Sequence, residues 1–339
     1  MAAEGVEVTT NDVQQLPVDE VAASKQIAGE PALRQPPGSP GPAARLAGRL
    51  GLILPRRPLS PAGVASVATM STVAVLGLWF VFYALVLSGL QENHTQHVMY
   101  SQLRQELALA TVPIGGAIKP GTPVGLIQAP EIGLSQVVVE GTSSADLTKG
   151  PGHLASTPLP GQAGISVIFG RSATFGAPFH AVHDLRAGAI ITVTTGQGAF
   201  KYRVLDVRGP GDPLPSVAGL GQSSLTLETT AGRGWRSGWA PNEVIYADAR
   251  LVKGQVQAAP AGRPAYVPTV DDPLTGDTTD AVLYPLILGL FGLLLVSVGL
   301  GYAYTRWTLW QVWFVGLPAV VAMLWIVSNM VMLLLPNLA

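Results

Sequence analysis

No cysteine occurs among the 339 residues of the chain. That excludes disulfides, thiolate metal centres and any thiolate nucleophile. Charge is scarce as well. Asp, Glu, Lys and Arg make up 12% of the residues, against roughly 25% in ordinary soluble domains. The formal net charge is −1 and no long basic run is present, so the electrostatic footprint of a nucleic-acid binder is missing. Apolar residues fill 48% of the chain, which calls for a very large core or a bilayer.

Three uncharged apolar runs decide between these: residues 64–90, 281–304 and 312–335. Each exceeds the roughly 20 residues that cross a hydrocarbon core of about 30 Å, which predicts three transmembrane helices. Arg45, Arg49, Arg56 and Arg57 precede the first run, and Arg306 lies in the short turn between the second and third. Asp271, Asp272, Asp277 and Asp280 precede the second. Positive charge stays on the cytoplasmic side. The expected location is therefore the plasma membrane, multi-pass, with the N-terminus cytoplasmic and the domain between the first two spans extracytoplasmic. The segment after Leu335 falls outside too. The first run is too long for a cleaved signal peptide and no A-x-A-like site follows it, so it reads as a signal anchor.

Residues 1–60 mix Pro, Gly, Ala and scattered charge without periodicity, the composition of a disordered cytoplasmic tail. Residues 91–119 read as a helical stalk, with Met99, Leu103 and Leu107 on one face. His94 and His97 lie one turn apart without a third ligand, so no metal site is expected, and no cofactor is implied. From 120 to 252 short apolar runs alternate with Gly, Pro and Ser. This texture predicts a mainly β domain of about eight strands, a closed barrel or sandwich. Gly196-Gln197-Gly198 marks a hairpin turn. Residues 253–280, rich in Pro, Ala, Gly and Asp, read as a linker back to the membrane. In the second span Gly289, Gly292, Gly299 and Gly301 offer small surfaces for helix packing, and Asn329 in the third needs a polar partner.

Within the β region several patterns occur together: L-I-x-x-P-x-I-G-L at Leu126–Leu134, L-x-x-G-P-G-H at Leu147–His153, F-G-A-P-F at Phe175–Phe179, L-R-A-G at Leu185–Gly188 and L-T-L-E-T-T at Leu225–Thr230. Collectively they resemble the sortases, especially the class E, housekeeping-like type of high-GC Gram-positive bacteria. The resemblance implies an eight-stranded β-barrel that cuts a sorting signal through a thioacyl enzyme and passes the acyl group to an amine. It also implies three reaction-centre positions, all of them degenerate here. The histidine of the family's G-H-R pattern is replaced by Arg171, its cysteine by Thr230 and its arginine by Glu243.

An arginine cannot accept a proton, and a threonine hydroxyl needs an adjacent base. His153 falls in a structural turn by the resemblance, and His180 and His183 in the connection after the barrel strand. Arg171, Ser172, Thr230, Arg233, Trp235 and Arg236 remain as candidate binding residues, a composition suited to a peptide, carboxylate or glycan. A solvated loop at Arg233 and Arg236 with packed tryptophans fits the same residues, as does Arg171 paired with Glu228 or Glu243. Three functions follow. The first is a non-catalytic pseudo-sortase that binds or scaffolds a surface or secreted protein. The second is a transpeptidase or hydrolase using a hydroxyl nucleophile. The third is a structural subunit of a membrane or envelope assembly. The C-terminal helices either bundle together or dock a membrane-protein partner.

Overall fold

Strand alternation sets the barrel. Along β1 (Pro123–Ala129), β5 (Ile190–Thr195), β6 (Gly198–Arg208) and β7 (Ser223–Ala231), alternate side chains turn inward. They bury Ile127 and Ala129, Ile191 and Val193, Phe200, Tyr202 and Val204, and Leu225 and Leu227 in one core. With β2 (Leu134–Glu140), β3 (Gly152–His153), β4 (Gly164–Phe169) and β8 (Glu243–Lys253), these strands close in the order β1-β2-β3-β4-β7-β8-β6-β5. Closure leaves no unpaired edge. The computed structural model describes residues 60–213, 219, 221–231, 243–258, 276–335 and 338. The expected tail before residue 60 lies outside these, as do residues 259–275 of the expected linker.

The hairpin expected at Gly196-Gln197-Gly198 joins β5 to β6, with Thr195 opposite Gly198. His153, expected in a turn, instead sits in the two-residue strand β3, and its ring is buried. Its Nδ1 lies 3.0 Å from Glu140 Oε2, and its Nε2 3.0 Å from the Pro158 carbonyl. This histidine is spent on holding β2 to the following loop. His180 and His183 are exposed.

Three helical rods are long and apolar enough to cross a membrane. The first runs as α1 (Pro61–Phe82), a π-helical turn (Tyr83–Leu87) and α2 (Ser88–Ala108); the others are α4 (Asp280–Tyr304) and α5 (Leu309–Leu334). The stalk helix stops at Ala108, short of the expected 119, because Ala110 turns left-handed at φ 55° and Pro113 follows. Its Met99 and Leu103 are buried against Val137 and Val139 of β2, with Leu107 beside them. Burying such side chains contributes about 1.5–3 kcal/mol each. Gln96 fixes the register: its amide donates to the Val137 and Lys149 carbonyls, and its Oε1 accepts from Val137 N–H at 2.7 Å.

Helix packing uses only half of the expected glycines. A Cβ on Gly289 or Gly292 would meet Val327 or Met323 of α5, whereas Gly299 and Gly301 have nothing within 4 Å. Asn329 finds its partner in Tyr83, whose hydroxyl donates to Oδ1 at 3.2 Å, and Trp79 Nε1–H donates to Ser328 Oγ at 3.2 Å. Tyr83 also meets Trp325 edge to face, with ring centroids 5.4 Å apart. The first rod and α5 thus pack on each other through polar as well as apolar contacts.

Candidate functional site

β4 and β7 run parallel, from Gly164 opposite Ser223 to Phe169 opposite Glu228. Alternation along β7 sends Leu225, Leu227 and Thr229 inward and leaves Thr226, Glu228 and Thr230 on the outer face. Val167 and Phe169 of β4 stand on that same face. The result is a face along two strands, apolar on the β4 side and polar on the β7 side.

Ser172 and Thr230 meet at the end of this face, their hydroxyl oxygens 2.8 Å apart. Both also face the main-chain carbonyl of Leu338, which follows α5. That oxygen accepts from Thr230 Oγ1 at 2.8 Å, Ser172 Oγ at 3.2 Å and Ser172 N–H at 3.1 Å. The Leu338 side chain is wholly buried with Leu147 and Phe169, and Val167 packs alongside. Among the described residues no imidazole or carboxylate hydrogen-bonds either hydroxyl.

Arg171 sits one residue away but turns inward. Among the described residues it is the largest fully buried side chain. Its guanidinium donates to the Ser144 carbonyl and Oγ at 3.3 and 3.1 Å, and to Thr174 Oγ1 at 3.3 Å. It also lies 5.1 Å from the Phe175 ring centroid. Burial pushes it down to about 9, which leaves it a cation at neutral pH. Expected on the binding surface, Arg171 instead braces the loop after β4 from beneath, joining it to α3 (Ser144–Leu147). Glu243 opens β8 opposite Ala231, so the strand register places it on the sheet face opposite to Thr230. The expected binding residues Arg233, Trp235 and Arg236 lie outside the described residues.

Glu228 enters the site more than its sequence context suggests. It shares the outer face of β7 with Thr230 and is buried. Burial pushes its carboxyl up to about 7, partly offset by Arg208. Arg208 itself is held by Asp248 at 2.6 Å and lies over the Tyr246 ring at 4.3 Å. Thr226 donates to the other Asp248 oxygen at 2.7 Å. Polar residues at alternate positions of L-T-L-E-T-T carried the signal for this row. Leu338 carried none.

The sortase domain model matches residues 127–248. The barrel thus carries a sortase domain. The chain is similar to sortase E from Streptomyces avermitilis, at 28% identity over 40% of this chain and 91% of that one, with a TM-score of 0.34. It is also similar to the sortase D5 transpeptidase of Clostridium perfringens, at 22% identity over 47% and 99%, TM-score 0.39. A third similar structure is sortase C of Clostridium perfringens with the C-terminal cell wall sorting motif, at 20% identity over 48% and 90%, TM-score 0.35. No curated protein matches the chain.

Proposed function

We propose that this chain is a membrane-tethered sortase relative that binds a peptide segment of a surface or secreted protein without cleaving it. The carrying observation is the Ser172–Thr230 pair. A hydroxyl attacks an amide only when a base takes its proton, and the described contacts of these two hydroxyls are each other and a peptide carbonyl. A hydroxyl that donates to a carbonyl oxygen holds the peptide rather than attacking its carbon. The absence of any thiol from the sequence supports the same reading.

The barrel lies at the outer face of an actinobacterial plasma membrane in this reading, with the N-terminus cytoplasmic. Charge asymmetry around the three apolar rods supports that orientation. The protein acts as an accessory or scaffold in cell-wall or envelope assembly. Hydroxyl-based acyl transfer draws on one observation, the approach of Thr230 to a carbonyl. A purely structural subunit draws on the burial of Phe175, in the loop after β4, with Tyr83 and Met332 of the helical rods.

One experiment separates the three. The full chain, reconstituted in lipid, is incubated with sorting-signal peptides and an amine, and a photo-crosslinker at the Ser172 position reports contact. Crosslinking to peptide without cleavage is the expected result. A covalent acyl adduct that disappears in Thr230→Ala makes the chain an enzyme. Absence of any crosslink on the β4–β7 face leaves the structural subunit.

A further inference from the structure

Beyond α5, Leu338 lies against the barrel. Three residues beyond Leu335, Leu338 is 0% exposed. Its side chain is enclosed by apolar groups that only an uncharged residue tolerates, and its carbonyl meets three donors. Those donors come from two elements far apart in sequence: Ser172 in the loop after β4 and Thr230 at the end of β7. Together they form a built site for one residue of an extended peptide, with an aliphatic pocket and a carbonyl clamp.

We propose that this clamp is the peptide site of the barrel and that Leu338 fills it in cis. The segment after the last membrane helix acts as a removable occupant. The proposal rests on the peptide-binding reading above and adds a ligand class and a regulation to it. The ligand is an extended peptide with an aliphatic residue whose carbonyl accepts from Ser172 and Thr230. A charged side chain entering among Leu147, Val167 and Phe169 would be desolvated without a partner, and is excluded.

The same helix supports both halves of the device. Met332 of α5 is buried with Phe175, in the loop that carries Ser172, and Leu338 lies six residues further on. Three residues of chain span at most about 10–11 Å, so the occupant stays beside its site. A short tether of this kind presents its ligand at about millimolar effective concentration. Only a peptide that binds more tightly, or that moves α5, displaces it.

Because the chain has no cysteine, an introduced pair has no competitor. In the full chain, reconstituted in nanodiscs, Leu147→Cys with Leu338→Cys is expected to form an intramolecular disulfide on mild oxidation. An intermolecular disulfide overturns the proposal. So do two thiols that both label with maleimide while the barrel retains its melting transition. The second arm uses the pentapeptide acetyl-Leu-Pro-Asn-Leu-Ala, the chain's own residues 335–339. Leu338→Asp is expected to bind it about tenfold more tightly than the parent, by removing the tethered competitor. Thr230→Val in that background is expected to weaken binding again, by roughly fivefold for one lost hydrogen bond. Equal affinity in parent and Leu338→Asp overturns the cis occupant while leaving peptide binding intact. No binding to Leu338→Asp overturns both.

Discussion

Burial changes what two charged side chains near the β4–β7 face do. Arg171 stands where a proton carrier is expected and serves as a fixed brace, so its value lies in the shape of the loop. Glu228 shows the opposite trend, held up to about 7 by burial against an ordinary value near 4.5. Its folded value lies above the unfolded one, so protonation favours the fold. The stabilisation is fully present below about pH 4.5 and is lost as pH rises through about 7. A shift of this size amounts to about 3 kcal/mol. We expect the thermal midpoint of the full chain to fall between pH 5 and 8, and Glu228→Gln to flatten that fall while raising the midpoint at pH 8. An unchanged pH slope in the variant would remove Glu228 from the account.

At the scale of elements, the loop after β4 is the most constrained segment. Phe175, Gly176 and Ala177 adopt φ of 47°, 71° and 47°, a left-handed run that two non-glycine residues hold at a cost of about 1–2 kcal/mol each. What offsets it is docking. Phe175 is wholly buried and its N–H donates to Ser88 Oγ at 3.1 Å, at the start of α2. A Cβ on Gly176 would run into the Glu92 carboxylate. Gly176→Val is therefore expected to release the loop from the helix, destabilising the docked state by about 2 kcal/mol or more. Limited proteolysis within 173–178 should accelerate several-fold, and an unaltered cleavage pattern would sink this reading.

The strands and the rods were legible because each follows from local pattern, period-two alternation or uncharged length. β3 was not, since two residues carry no period. Ser172 and Thr230 could be placed by motif, but the inward turn of Arg171 depends on Ser144, 27 positions away. Leu338 meets Ser172 across 166 positions. No local signal announces an approach of that range.

At the scale of the whole molecule, the barrel is fastened to its helices through α2, the Phe175 loop and Leu338. With the orientation proposed above, a single cysteine at exposed Lys201 should react with a membrane-impermeant maleimide in intact cells. One at Thr305, between α4 and α5, should react only after permeabilisation. Labelling of Thr305→Cys in intact cells would reverse the topology. The first rod also holds a spare residue. The wide turn at Tyr83–Leu87 accommodates one more amino acid than α geometry needs. Losing one residue inside it tightens the coil without changing which side faces what. The same loss a turn above or below would swing Met99 and Leu103 by about 100°, away from β2. The chain thus tolerates a change of length at one place along this rod and loses the seating of its barrel elsewhere.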